Sequence, residues 1–568
     1  VVQILLAWLY IFFTSYCVGL FCIRNIEKLM KDTTGFSNNC HPVLLSMVGL
    51  VGITVVAGYM SIFLKTGLVI NCLLLAFCFL YVLVKRKQFP SIGISKFSIN
   101  ANSVIVGLLL LSVFVLVLIK SSGPITTPDS AGYHLPFIKW IENYRAIKGT
   151  ANVHTRFGFN YQYHVLYAVY SFSYLNIPTV HALNGYMMVA IVTYILTSLS
   201  FFKVVYLSRL DVMKLIMLFF VLNMGNATSS FSPDFPTATL VILAIIITLE
   251  KIELNVDYQY NMNSILMFIL SIGALLFKIS SAPIFLLNLF YIGVLYKHKK
   301  WNVFIALAIT CFVSVAPYLI RNYILSGYLV YPLYSLDIFT VSWKVPLPYA
   351  IYEKDVIRTC ALGITYGSHV PFKEMIISWW HNLKATNTAY IYIVSVLMGC
   401  MIMNIVCFLR ILIKKQSDQY SGYILLFVVL YSCLLYWWRN APDPRFGNGY
   451  IIPFIAINIS LIGYSLFRKM STMILRGTSA ILILLSLVMM KGQSLAKVQN
   501  NFNVVHYNIW KQEPYPKPDT TGRNNSRHMP FYIVPNDKFC WDAPQPCSMC
   551  SDQYEYIGAT IEEGFIHK

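Results

Sequence analysis

Charge is what this chain has least of. Only 12% of its 568 residues are Asp, Glu, Lys or Arg, and acids are the scarcer half, 23 against 43 basic residues. Ordinary soluble domains carry roughly 25% charge, so a water-soluble fold of the usual kind is excluded. Several motifs are missing as well. The chain contains no G-x-x-x-x-G-K-[ST], no G-x-G-x-x-G opening a helix after a strand, and no H-E-x-x-H. Nucleotide-driven transport and zincin chemistry therefore find no support, and no nucleotide cofactor is expected. The net charge of +20 is spread over helix ends and loops rather than gathered on one aromatic-studded face, which argues against nucleic acid. There is no internal repeat and no low-complexity tract.

What the chain has is apolar length. Hydrophobic residues make up 57% of it and the mean hydropathy is +0.63. Many runs reach the roughly 18–20 apolar residues that cross a hydrocarbon layer. The expected fold is an all-α polytopic membrane protein. Spans are expected near 1–22, 43–63, 67–84, 102–120, 180–202, 212–226, 236–250, 263–280, 282–296, 301–320, 389–412, 421–438, 449–467 and 475–491, about fourteen in all. The start, VVQILLAWLY, has no positive charge and no small-residue cleavage site follows, so no cleavable signal peptide is expected.

Short-loop Lys and Arg set the orientation. With this span count, Arg24, Lys85, Lys203, Lys251, Lys297, Arg410 and Arg468, with their basic neighbours, all fall on one side. That side is the expected cytoplasmic face, in a cytoplasmic (inner) membrane. Both chain ends then face outward, with two long outer loops, 121–179 and 321–388, and a tail, 492–568. Residues 1–101 are read as N-terminal membrane helices and 102–491 as the membrane core. The apolar stretch from Val165 to Leu175 is too short to cross and reads as an interfacial or re-entrant helix.

Most of the 13 cysteines lie inside apolar runs and act as small hydrophobes. Cys540, Cys547 and Cys550 are different, in KFCWDAPQPCSMC. Three thiols with no fourth Cys or His nearby do not make the usual zinc set. A Cys540–Cys547 disulfide is expected if the tail lies outside the cytoplasm.

The chemistry-bearing residues crowd the outer loops. Asp129, in PDSAGYHLP, follows an apolar span and shares its loop with His134, His154, Arg156 and His164. It reads as a helix N-cap or as an interfacial general base. With His134 it also fits a divalent cation, although no full metal-ligand set is legible. Arg439, Asp443 and Arg445 stand in WWRNAPDPRF, where an Arg–Asp structural pair and a phosphate contact are both open, since the guanidinium fork matches phosphate oxygens. Asp234, in SSFSPDFPTA, is an N-cap or a second acid. Arg321, at the end of a span, snorkels to the interface or binds anion. Lys278 lies in an apolar run, where an ionisable group is a functional candidate by default.

An outer loop with an Asp soon after a span, a short helix in that loop and a late outer Arg before a span resemble the GT-C class of integral membrane glycosyltransferases. The stretches DSAGYHLPFIKWIENY, VHTRFGFNYQYH, RNYILSGYLVYP, APDPRFGNGY and CWDAPQPC also resemble a group of largely uncharacterised bacterial membrane proteins, from about residue 100 onward. The GT-C resemblance implies a polyprenyl-linked sugar donor, a glycan, lipid or protein acceptor, Asp129 as base or metal-placing acid, and Arg445 at the lipid phosphate. Asp234 or His134 would assist Asp129, and Arg321, Arg439 or Lys278 would assist Arg445. Two features depart from that class: Ser130 stands where a second acid is common, and four spans rather than one precede Asp129. The competing expectations are a glycan polymerase or ligase using a polyprenyl-diphosphate glycan, a transporter or flippase with a mid-membrane site, and a subunit of an envelope complex.

Overall fold

The computed structural model describes residues 1–30, 35–86, 101–125, 127–200, 208–253, 261–297, 299–368, 370–413, 420–467, 477, 510–512, 514–516, 518, 521–524, 530–534, 539–548 and 554–568. Helices α1 (Val2–Met30), α2 (Pro42–Phe63), α3 (Leu68–Val84) and α4 (Ala101–Ser121) precede a long segment that carries two short helices, α5 (Leu135–Asn143) and α6 (Gln162–Val169). Then come α7 (Leu183–Ser198), α8 (Arg209–Asn223), α9 (Asp234–Glu253), α10 (Met262–Phe277), α11 (Leu286–Lys297) and α12 (Trp301–Ser326). A second long segment holds α13 (Leu347–Leu362) and α14 (Phe372–Thr386), and α15 (Thr388–Ile413), α16 (Ser421–Asn440) and α17 (Pro444–Phe467) follow it.

Nine helical segments among the described residues are long and apolar enough to cross a membrane. The protein is a helical, membrane-embedded one. The spans expected at 67–84, 180–202, 212–226 and 263–280 fall on the shorter helices α3, α7, α8 and α10. The span expected at 475–491 and much of the tail lie outside the described residues. The tail adds short strands to the helical fold: β1 (Thr521–Asn524) runs antiparallel to β2 (Pro530–Ile533), which pairs parallel with β3 (Cys547–Ser548). A separate antiparallel pair joins β4 (Tyr554–Tyr556) to β5 (Phe565–His567).

Hydropathy decides who sits where. A helix apolar on every face belongs inside a bundle or a bilayer, and α9 is buried at every residue from Phe235 to Ile247. Helices α4, α12 and α15 instead turn Leu108, Phe312 and Ile402 outward, as lipid-facing helices do. Small residues bring α1 and α2 into backbone contact. A methyl group added at Gly19 would meet the Leu45 carbonyl oxygen at 1.8 Å, and one at Gly49 the Ser15 carbonyl oxygen at 1.7 Å. Beside this crossing, the Ser15 and Ser46 hydroxyls are 2.6 Å apart and Ser46 Oγ is 2.5 Å from the Tyr186 hydroxyl. Small residues at the seam and hydroxyls bridging it are how helices associate where no hydrophobic difference drives them together.

The two ends of α9, about 30 Å apart at 1.5 Å per residue, differ chemically. At its C-terminal end, Glu253 pairs with Arg209 at 3.5 Å and Glu250 with Lys214 at 2.7 Å. At its N-terminal end is Asp234, beside the turn where α10 stops. Lys278 takes an extended conformation there, and a 3₁₀ turn, Ile279–Phe285, leads into α11. The sequence placed Lys278 within an apolar run; the fold puts it at this break.

The first long segment packs inside the protein. All eight residues of α6 are buried, so the stretch Val165–Leu175 is helical and buried to Val169, and Leu175 at its far end is exposed. Beyond the helix, Phe172 and Asn176 take left-handed backbone, at φ 56° and 58°. The described tail caps this segment. Phe565 N–H donates to the Lys148 carbonyl at 2.9 Å, Trp541 N–H to the Ala131 carbonyl at 3.2 Å, and Ser548 Oγ to the Val153 carbonyl at 3.0 Å. Gly149, at φ +68°, leaves room for this approach, since a Cβ there would fall 1.9 Å from the Phe565 oxygen. A disulfide joins Cys540 to Cys547; Cys550 lies outside the described residues.

Candidate functional site

Asp129 opens a tight turn. Leu135 N–H reaches back to the Ser130 carbonyl, so Ser130–His134 winds as a π-helical turn before α5 begins. Single π turns are rare and cluster at functional sites. Ser130 ties this turn to the segment before α9: its hydroxyl lies 3.0 Å from Ser230 Oγ and accepts the Phe231 N–H at 3.1 Å. Asp129 and Asp234 are thereby held on neighbouring turns of chain.

The Asp129 carboxylate does not cap the helix that follows; no backbone N–H reaches it there. It faces two guanidinium groups. Arg445 Nη1 donates to Oδ2 at 3.2 Å, and Arg156 Nη1 lies 3.6 Å from Oδ1. Arg445 Nε pairs with Asp443 Oδ2 at 2.9 Å, and the Arg445 backbone N–H donates to Asp443 Oδ1 at 2.9 Å. Arg156 Nε sits 3.7 Å from Glu353 Oε2, and Thr155 Oγ1 donates to the other Glu353 oxygen at 2.5 Å. The result is a chain of alternating charge: Asp443, Arg445, Asp129, Arg156, Glu353. A separate pair, Lys278 with Asp234, stands beside it, the ammonium lying 3.8 Å above the Phe446 ring.

Aromatic groups fix the pieces. The Arg156 guanidinium stacks over Tyr133 at 4.8 Å and that of Arg445 over Phe446 at 4.7 Å, contacts worth about 0.5–2 kcal/mol each. Trp437 Nε1 donates to the Asp443 carbonyl and Trp379 Nε1 to the Pro442 carbonyl, both at 2.8 Å. These indoles hold the Pro442–Asp443–Pro444 corner that aims Arg445.

Most of this chemistry borders one cavity of about 620 Å³. Its wall includes Asp129, Arg156, Asp234, Lys278, Asp443 and Arg445, and it continues past Tyr436 and Tyr450 on α16 and α17, two helices long and apolar enough to cross a membrane. Burial raises the Asp443 carboxyl above its usual range, opposed by the Arg445 charge. His134 also lines the cavity, and its buried Nδ1 has no hydrogen-bond partner. Burial, then the neighbouring His164, push its pKa well below 6.5. His134 is therefore neutral at pH 7. His164, 4.8 Å from it ring to ring, is driven to about 3 by burial.

The residues singled out from sequence divide accordingly. Asp129, Arg156, Asp234, Lys278, Asp443, Arg445 and His134 converge on the cavity. His164 packs behind it, and His154 lies across the Arg156 wall. Two do not converge. Arg321 is fully buried away from the cavity wall, donating to Asn160 Oδ1 at 3.0 Å, to Ser61 Oγ at 2.8 Å and to the Ser61 carbonyl at 3.3 Å. Arg439 is exposed and does not line the cavity. Sequence reading missed Glu353, Tyr133, Tyr161 and Lys354. Only the acid–base dipeptide Glu353-Lys354 in an outer loop offered any signal.

Among the described residues, no three His, Cys, Asp or Glu side chains are grouped to hold a metal ion, and each cavity carboxylate already faces a guanidinium or ammonium group. No curated protein and no solved structure matches the chain. The family model described as Domain of unknown function (DUF8201) matches residues 2–452, a stretch that contains every member of the charge chain, and the protein belongs to that family.

Proposed function

We propose that this protein is a membrane glycosyltransferase that moves a sugar from a polyprenyl-phosphate-linked donor to an acceptor hydroxyl, at the outer face of a cytoplasmic membrane with both chain ends outside. One observation carries the reading. The acid suited to act as base, Asp129, and the arginine suited to hold phosphate, Arg445, stand 316 positions apart in sequence and 3.2 Å apart in space, on a cavity that runs onto membrane helices.

The mechanism follows from the pairing. Donor phosphate oxygens compete with Asp129 for the Arg445 fork, because a guanidinium binds phosphate bidentately. Asp129, relieved of one cation, takes the proton of the acceptor hydroxyl. The acceptor oxygen forms its bond to the anomeric carbon as the bond from that carbon to the phosphate oxygen breaks. The electron pair leaves on the lipid phosphate, whose added negative charge Arg445 and Lys278 stabilise. A single displacement inverts the anomeric configuration. Glycan polymerase or ligase chemistry would use the same leaving group and differ in the size of the transferred sugar. A transporter would place its site at mid-membrane, whereas these charges gather at one end of α9.

The test is transfer by the purified full-length chain from a synthetic radiolabelled polyprenyl-phosphate hexose to a mixed oligosaccharide pool. Asp129→Asn keeps the shape and removes the base, so the rate should fall about 10²–10⁴-fold. A variant turning over as fast as wild type refutes the assignment.

A further inference from the structure

A second cavity of about 620 Å³ shares part of that wall. Asp129, Tyr133 and Arg156 border both cavities. The two differ in what else lines them. The first runs onto membrane-spanning helices. The second is built from the turn at 128–133, the segment 154–156, helix α13 with Tyr366 beyond it, and Phe539 of the tail, none of them a candidate span.

We propose that this second cavity is the acceptor subsite and that its occupant is an uncharged glycan. The proposal rests on the glycosyl-transfer reading. Three observations favour such an occupant. First, the walls are aromatic: Tyr133, Tyr349, Tyr352, Tyr366 and Phe539 face the space. Tyr352 and Tyr366 meet edge to face at 4.8 Å yet remain 42% and 44% exposed, so their rings are open to a ligand. The electron-rich face of a ring attracts the positive edge of a partner, and the C–H face of a sugar presents such an edge. Second, the charge suits a neutral ligand. The cavity carries Asp129 and Glu353 against Arg156 alone, and His154 stays uncharged, its pKa held at about 3 by burial and by Arg156. Arg156, the cation lining this cavity, is already paired with both Asp129 and Glu353, so a phosphate or uronate would find no free cation there. Third, the base is shared. A hydroxyl held in this cavity meets Asp129 directly, while Arg445 and Lys278 line the first cavity and not this one. His154 Nδ1 accepts the Arg156 backbone N–H at 3.2 Å, so the neutral ring carries its proton on Nε2.

The experiment uses the fluorescently labelled full-length chain in detergent, applied to an array of neutral hexose, N-acetylhexosamine and uronate-containing oligosaccharides. Wild type should bind at least one neutral oligosaccharide. Tyr352→Ala/Tyr366→Ala should weaken that binding about tenfold, the loss expected for two ring contacts, with an unchanged thermal midpoint because both rings are exposed. No binding by wild type, binding to uronate-containing glycans alone, or binding untouched by the double substitution overturns the proposal. Polyprenyl phosphate co-purifying with a protein that binds no glycan would sink this subsite and leave the donor reading standing. Glycan binding without the lipid would do the reverse.

Discussion

Cutting the Asp234–Lys278 pair from each side in turn separates what these charges do for the fold from what they do for a ligand. The side chains are 17% and 12% exposed. Breaking a fully buried pair costs about 3–5 kcal/mol, and an exposed pair is worth about 0–1 kcal/mol. This one is largely dehydrated but borders a cavity, so each single substitution should cost about 2 kcal/mol. Asp234→Leu leaves the ammonium with the Phe446 and Tyr161 rings, and Lys278→Met leaves the carboxylate without its hydrogen-bonded cation, with the Arg445 charge still acting on it. Asp234→Leu/Lys278→Met removes both charges and should recover most of the loss, giving a coupling energy of about 1–2 kcal/mol. The assay is the thermal unfolding midpoint of the purified chain in detergent, for wild type, both singles and the double. If the two losses simply add, or if neither single lowers the midpoint, the pair is not the latch between α9 and the α10–α11 break described above. Activity measured on the double variant then reports what the two charges do for substrate, without the folding loss.

Further outcomes follow from the packing and the titration of buried groups. Gly19→Ala places a methyl group 1.8 Å from the Leu45 carbonyl oxygen, so α1 and α2 must separate; the yield of monodisperse protein should fall sharply, while Gly107→Ala, where a Cβ meets nothing within 4 Å, should not alter it. His164 is buried with its pKa driven down to about 3, below the roughly 6.5 of an unfolded chain. Its neutral form is favoured by folding, so the protein should hold full stability above about pH 6.5 and lose about 1.4 kcal/mol per pH unit from this group as pH falls towards 3. His164→Phe should flatten the fall of the thermal midpoint between pH 6.5 and 4; an unchanged slope would show that His164 is not the titrating group.

The sequence revealed the membrane class because apolar runs are long and charges few. It also pointed to Asp129 and Arg445, because charged groups beside apolar runs stand out. Their contact was not legible, since nothing local links positions 316 apart. Glu353 was missed for the opposite reason: α13 carries ordinary soluble-looking charge, and only the fold brings Glu353 to Arg156. Arg321 shows the limit of reading a charge by position. An arginine at the end of a span fits snorkelling and phosphate binding alike, and only the fold shows Arg321 buried against Asn160 and Ser61. The short apolar run after Tyr163 reads as an interfacial or re-entrant helix, and the fold buries its helical part, to Val169, on every side.

Lipid extraction and mass spectrometry of the purified chain, wild type beside Arg445→Ala, test the central claim most directly. The account predicts polyprenyl-phosphate species with wild type, their head group naming the sugar, and their loss from the variant. Ordinary phospholipid alone, the same in both, would contradict it and leave Arg445 as a partner of Asp129 and Asp443 only.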